Sequence, residues 1–282
     1  MIEILSYAFM QKAFISGIVI AIACSLLGMF LVLRKFSLIG DGIAHISFGG
    51  VATGLLFNIT PFTGALLFGL IGSFGILKLK EKSHLHGDAA IGIVSHVSLG
   101  LGIFIASIAS GFNVDILSYL FGSILSIKTN ELVLSIFLAL TVIAFILSYY
   151  KDLFYISFDE ESAKVSGINV DFLNSMLIVL TAVTIVCSMN VVGLMLASSL
   201  IILPAASALQ VKASFKRTLL YAVVISVFSV VSGLVIAYYY DFAVSGTIVL
   251  INAFVFLSLL VYNKLQTYFS SHINSKPVDE KA

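Results

Sequence analysis

An aspartate and a histidine stand four residues apart in the apolar, glycine-rich stretch SLIGDGIAHISFGG (residues 37–50), as Asp41 and His45. On a helix that spacing places both side chains on one face. A carboxylate and an imidazole that converge are half of a coordination sphere for a divalent transition metal such as Zn²⁺ or Mn²⁺. A charged carboxylate inside a bilayer costs roughly 2.5–3.5 kcal/mol even on the lenient insertion scale, so it must be paired or face a cavity. A second reading stands beside this one. Asp41 could cap a helix starting at Gly42, or pair with Arg34, leaving His45 a solitary polar residue. Two donors do not complete a metal site. A second copy of the chain would supply two more and reach the four of tetrahedral coordination, which points to a dimer with a conduit on its axis.

Other polar residues interrupt the apolar pattern. His96 lies within GDAAIGIVSHVSLGLG (87–102) and is either a hydrogen-bonded packing residue or an exit-side ligand or proton acceptor. His84 and His86 sit near Asp88 in a loop, where solvation is the simpler reading and weak metal binding the other. In FYISFDEESAKVSGINVD (154–171) the acids Asp159, Glu160 and Glu161 precede Ala163 and Lys164, and Gly167 closes the piece. Acids first, a cation later and a glycine stop predict a helix of about two turns. Such a helix could be gripped by a partner or be an ordinary surface loop. Pro204, within an apolar run, removes one backbone hydrogen bond and permits a bend, most simply a structural one.

The elements that must position these residues follow from composition. Of 282 residues, 60% are hydrophobic and only 10% charged, against about 25% charged in ordinary soluble domains. Mean hydropathy is +1.14. This excludes a soluble globular chain of this size, and the net charge of +1 with no basic patch excludes a nucleic-acid partner. An all-α, polytopic membrane protein is expected. Apolar runs near 13–33, 37–57, 61–77, 89–110, 131–149, 171–189, 192–210, 218–239 and 246–262 give about nine transmembrane helices. The first run is too long for a signal peptide and should remain as a span. The break between the sixth and seventh runs, Met189-Asn190, is weak. With the N-terminus outside, every Lys and Arg except Lys12 and Lys128 falls on the inside, which sets an N-out/C-in orientation.

The second span, counted from Ser37, would carry His45 roughly 12 Å deep. Residues 1–263 read as a single transmembrane domain and 264–282 as a polar cytoplasmic tail. There is no tryptophan, so Tyr149, Tyr150, Tyr238 to Tyr240 and Tyr262 are expected to form the interfacial belt. Gly50-x-x-x-Gly54 and the series Gly69, Gly72, Gly75 are expected at close helix contacts. Cys24 and Cys187 sit inside apolar runs and read as small core residues.

Six blocks in order resemble the integral-membrane permease subunit of ABC-type zinc/manganese uptake systems. They are LVLRKFSLIGDGIAH (31–45), GDAAIGIVSHVSLGLGI (87–103), VDILSYLFGSIL (114–125), SFDEESAKVSGI (157–168), VVGLMLASSLIILPAASA (191–208) and YDFAVSGTIVL (240–250). The likeness spans about residues 12–262. It implies a vitamin-B12-type ABC importer architecture in the cell membrane. It implies a homodimer working with cytoplasmic ATP-binding subunits and an extracytoplasmic metal-binding receptor protein. It carries the metal-ligand role to Asp41 and His45 and the ATPase-coupling role to Phe158, Asp159, Glu160, Glu161, Ala163 and Gly167. Metal would be transported rather than bound as a permanent cofactor, zinc before manganese, because His96 inside IGIVSH is closer to the zinc branch. Two departures matter. Relatives often have Asp-Pro-Glu where this chain has Asp159-Glu160-Glu161. An acid after YLFG in many relatives is Ser123 here, so an outer receiving acid would have to be Asp115 or Asp241. The expected cycle is alternating access, with inward opening past the seventh span and Pro204 as hinge.

Two other classes compete. A proton-coupled secondary transporter could use Asp41, His45 and His96 as a relay without an ATPase. An intramembrane enzyme is disfavoured because the chain has no HExxH and no Gly-x-Ser-x-Gly. Nor does it have GxxxxGK[ST], so ATP hydrolysis would belong to a separate chain.

Overall fold

The computed structural model describes residues 6–82, 87–108, 122 and 127–274. These fold into eleven α-helices, with no strand among the described residues. In chain order they are α1 (Ala8–Leu33), α2 (Ile39–Leu56), α3 (Pro61–Lys82), α4 (Gly87–Ile108), α5 (Thr129–Ser148), α6 (Tyr150–Phe158), α7 (Glu160–Val165), α8 (Val170–Val192), α9 (Leu194–Gln210), α10 (Phe215–Tyr240) and α11 (Val244–Asn274). Seven of them, α1, α3, α4, α5, α8, α10 and α11, are long and apolar enough to cross a bilayer. The other two apolar runs fold as shorter helices, α2 with 18 residues and α9 with 17. At about 1.5 Å per residue these reach some 26–27 Å, just under a hydrocarbon core of about 30 Å.

The short helices are packed among the long ones. α1 and α8 form the centre, and 67% of the apolar window of each is buried, against 17% for the peripheral α11. α2 is wedged between α3 and α4 and also meets α9 and α8. Close backbone approach makes the α2–α3 wedge possible, since a Cβ on Gly50 would run into the carbonyl of Gly64, and one on Gly64 into that of Gly50. Gly69 faces Ser47 and Val186, and Gly72 faces Ile46, as expected of small contact residues. Gly75 is different: a Cβ there would meet nothing within 4 Å, so it makes no close helix contact.

Three boundaries differ from expectation. α8 runs through Met189 and Asn190 to Val192, and the chain breaks at Gly193, whose φ of 84° and ψ of 156° suit essentially glycine alone. α2 begins at Ile39 rather than Ser37. A separate helix, α6, follows α5 after the single residue Tyr149, because Leu153 and Ile156, three apart, find a buried face.

Helix ends gather on two sides. The Lys12 ammonium donates to the Thr129 hydroxyl at 3.1 Å, joining the starts of α1 and α5. Arg34 pairs with Glu160 on the other side, joining the end of α1 to α7. Tyr149, Tyr238, Tyr239, Tyr240 and Tyr262 are all exposed, as a belt requires, while Tyr150 turns inward. Cys24 and Cys187 are buried free thiols.

Candidate metal site and coupling segment

The sequence around Asp41 folds so that its pair is the open stripe of an otherwise enclosed helix. From Ile39 to Ala52 every residue of α2 is buried except Asp41 and His45. The Ile39 amide donates to the Phe36 carbonyl, and Leu38 serves as N-cap without a side-chain bond. Asp41 therefore lies in the first turn and does not cap the helix, and Arg34 is engaged by Glu160. Both bland alternatives for Asp41 are thus set aside. His45 Nε2 lies 3.4 Å from Asp41 Oδ2, with side chains 23% and 49% exposed. Counted from Ile39, His45 is about 9 Å along the helix, in the half nearer Arg34, rather than the 12 Å expected from Ser37. Among the described residues no group of three or more His, Cys, Asp or Glu side chains could hold a metal. One chain therefore offers two donors.

His96 stands on α4, which packs against α2 where Gly42 meets Ile91 and Ser95. Its ring is exposed, and its Nδ1 lies 2.7 Å from the Gly92 carbonyl. A carbonyl only accepts, so Nδ1 carries the proton, and in the neutral ring Nε2 keeps a free lone pair. His96 is close enough to Asp41 to interact electrostatically, though it does not complete a three-residue cluster. Asp241 is not brought to the pair. It caps the C-terminus of α10 in the left-handed region at φ 55°. It lines a cavity of about 440 Å³ with Phe9, Met10, Gly122 and Val192, at the end of the bundle where α1 starts. Asp115, Ser123, His84 and His86 lie outside the described residues. Pro204 is buried inside α9 and leaves the Leu200 carbonyl without its helical donor.

The second constellation is the segment around α7. The Asp159 carboxylate accepts from the Ser162 amide at 2.9 Å and from the Ser162 hydroxyl, which makes it the N-cap. Those two bonds hold its carboxyl below the usual carboxylate range. A side-chain cap thus fixes the start that a proline fixes elsewhere. At the other end the Gly167 amide donates to Lys164 and the Ile168 amide to Ala163, with Gly167 at φ 85°. This is a Schellman closure, for which glycine is the fitting residue. Of the whole helix only Ala163 is buried, while Phe158 is 65% and Val165 90% exposed. Apolar side chains displayed among Glu161 and Lys164 make a surface suited to docking.

Sequence reasoning missed what anchors this segment. The Arg34 side chain is only 2% exposed and lies 3.1 Å from Glu160, which also pairs with Lys164 at 3.3 Å. Burial pulls the guanidinium below its usual value, and Glu160 opposes that shift. Phe215, at the start of α10, packs against Phe30 of α1 and against Tyr150, Phe154 and Phe158 of α6, with centroids 4.9–6.3 Å apart. A long-range pair and a five-ring cluster leave no local pattern, so neither residue carried a signal beyond its type.

A bundle of long apolar helices that buries residues 39–52 of one short helix except an acid and an imidazole defines a multi-pass membrane protein with a polar stripe inside it. The ABC 3 transport family matches residues 6–263, and the chain belongs to that family: it is an ABC transporter permease of the cell membrane. The manganese transport system membrane protein MntC of Listeria monocytogenes is 31% identical over 259 residues, 92% of this chain and 92% of its own. The high-affinity zinc uptake system membrane protein ZnuB of Haemophilus influenzae is 31% identical over 254 residues, 90% of this chain and 97% of its own. Among solved structures, a chain of PsaBC from Streptococcus pneumoniae in complex with Fab matches with a TM-score of 0.80 at 33% identity, covering 91% of this chain and 92% of that one.

Proposed function

We propose that this permease passes a divalent transition metal inward, zinc before manganese, by alternating access in an ATP-driven importer. The reading rests above all on the open stripe of α2, where Asp41 and His45 meet at 3.4 Å with every neighbour from 39 to 52 buried. Two donors per chain suit a homodimer in which two Asp41 and two His45 surround the ion. The ion is cargo and needs a moderate, reversible site. His96, with Nε2 free in the neutral ring, would take or relay the ion on its way out.

In this reading α2 and α9 complete nine spans, with the start of α1 outside and α7 inside. Residues 1–263 form one permease domain, continued by the tail 264–282. A receptor protein delivers the ion near the Asp241 cavity. ATP-binding subunits grip Phe158 and Val165 on the α7 segment, and Arg34 passes their movement toward α2. Pro204 supplies the bend in α9. Relatives named for manganese and for zinc support the metal class alike. The zinc preference rests on the resemblance of His96, inside IGIVSH, to the zinc branch of the family.

The test is uptake of Zn²⁺ and Mn²⁺ by the complex reconstituted with its ATPase and receptor, comparing wild type with Asp41→Ala and His45→Ala. Loss of uptake in both variants, with ATP hydrolysis retained, is expected. Full uptake by both would overturn the site. Transport by the chain alone, driven by a pH gradient, would instead favour the proton-coupled alternative.

A further inference from the structure

A groove of about 730 Å³ opens between α5, α6 and α10 with α1 as its floor. Its size is that of an ordinary small-molecule site, about 300–1,000 Å³. The deep part is apolar, formed by Leu26, Ile143, Ile146 and Leu219. The polar part sits at the helix ends, where Tyr150, Lys151 and Lys216 form the rim. Ile143 is five residues before Ser148, the end of α5, so the groove descends about 7–8 Å from rim to floor. An apolar pit under a cationic rim, at the level where spans end, is the shape of a phospholipid.

The charge is not used within the chain. Among the described residues neither Lys151 nor Lys216 is within salt-bridge distance of a carboxylate, although Asp152 also lines the groove. Two helices begin at this rim, α6 after Tyr149 and α10 after Ser214, and neither N-cap makes a side-chain bond. Their free amides and positive dipole ends add to the two ammonium groups. Asp152 offsets part of this charge and leaves the rim net positive. We infer that the groove binds an anionic phospholipid of the leaflet on the α7 side. Its phosphate lies between Lys151 and Lys216 and its acyl chains over Leu26 and Ile146. Basic pockets between membrane helices take such headgroups. The inference does not depend on which ion is transported.

The test is native mass spectrometry of the permease–ATPase complex, purified in detergent with equal amounts of phosphatidylglycerol and phosphatidylcholine. Wild type is expected to retain phosphatidylglycerol at least five-fold over phosphatidylcholine. Lys151→Gln with Lys216→Gln abolishes the preference, and Leu219→Trp, which fills the pit but keeps both lysines, lowers total retained lipid. Gel filtration and thermal unfolding confirm that each variant is folded. Equal retention of the two lipids by wild type overturns the proposal, as does a double variant that keeps the preference. If the permease alone keeps phosphatidylglycerol but the complex does not, the rim is the ATPase's seat, which also overturns it.

Discussion

The guanidinium of Arg34 meets the carboxylate of Glu160 at 3.1 Å, across 126 residues of chain. Arg34 ends α1 and stands seven residues before Asp41, and Glu160 opens α7. The pair thus ties α7 to the end of α1, a short turn before the helix that carries the candidate metal site. The aromatic cluster about Phe215 reinforces it from the other flank, joining α1, α6 and α10. α7 is thus joined to the end of α1, just before the short turn into α2, by a charge pair and packed rings as well as by the chain itself.

Cutting that tie leaves a buried cation unpaired. Glu160→Ala is expected to cost about 2 kcal/mol, below the 3–5 of a fully buried pair because the carboxylate is partly exposed. Arg34→Met combined with Glu160→Gln removes both charges and is expected to recover stability to within about 1 kcal/mol. Transport should not recover with it. Thermal unfolding of the purified protein, read beside uptake and ATP hydrolysis of the complex, separates the roles. A double variant that transports normally would show the pair to be structural only.

If Asp41 and His45 hold the ion, removing either should cost at least the roughly 10–100-fold lost when a group that only orients a metal ligand is removed. Asp41→Ala and His45→Ala are each expected to lower metal uptake by about that factor or more. Mutating both in one chain should add little beyond the larger single effect, because two donors acting on one ion fail together. Isothermal titration of Zn²⁺ and Mn²⁺ into the purified permease, beside uptake, gives the measure.

Much of this is legible in the sequence, for reasons that differ by element. The long apolar runs announce helices because a continuous apolar run of about 20 residues crosses hydrocarbon only as a helix, a barrel strand needing about half that length. Asp41 and His45 are legible by cost, since two ionisable residues four apart in an apolar run must pair or face a cavity, and the structure leaves only these two of the fourteen residues from 39 to 52 unburied. The stop at Gly167 was readable because glycine alone suits the turn it makes. The sequence pattern puts the break at Met189-Asn190, three residues before Gly193, because the asparagine there interrupts the apolar run. The backbone instead turns where glycine permits it. Helix α6 hid inside what read as a loop. Glu160 as partner of Arg34 was invisible, because a contact between residues 126 apart depends on the packed fold.

Acidification should stop transport through His45. An imidazole must be neutral to ligate a metal, so protonation of His45 removes it from the site. Uptake is expected to fall as the pH drops from about 7.5 to about 5.5. Unfolding of α7 does not account for that fall. Asp159 has its carboxyl held low by Ser162, so its capping contribution is present above about pH 4 and fades only as pH drops through its still lower folded value. A flat profile over this range, with receptor and ATPase shown unaffected, would remove His45 from the ligand set.

The α7 caps permit a test of the coupling surface that leaves the membrane core untouched. Asp159→Asn keeps an acceptor for the Ser162 amide and should preserve coupling, whereas Asp159→Ala loses it. Gly167→Ala adds a Cβ that touches nothing within 4 Å, so its cost of about 1 kcal/mol comes from the left-handed backbone alone. Both damaging changes are expected to weaken binding of the ATPase in pull-down titrations without altering metal affinity of the permease. Unchanged ATPase binding would show that the partner does not grip α7.

Small residues do not all serve one purpose, and the α2–α3 wedge shows why. Gly50 and Gly64 face each other backbone to backbone, so Gly50→Ala forces the helices apart, and overpacking of this kind costs about 1–3 kcal/mol. The shift would also move α2, whose opposite side carries the Asp41 stripe, so metal affinity should fall together with thermal stability. Gly75→Ala places its methyl in open space on α3, where alanine's better helix propensity is worth nearly 1 kcal/mol. That variant should unfold at the same temperature or higher and bind metal normally. Equal loss in both variants would mean that α3 packs against another surface along its whole length.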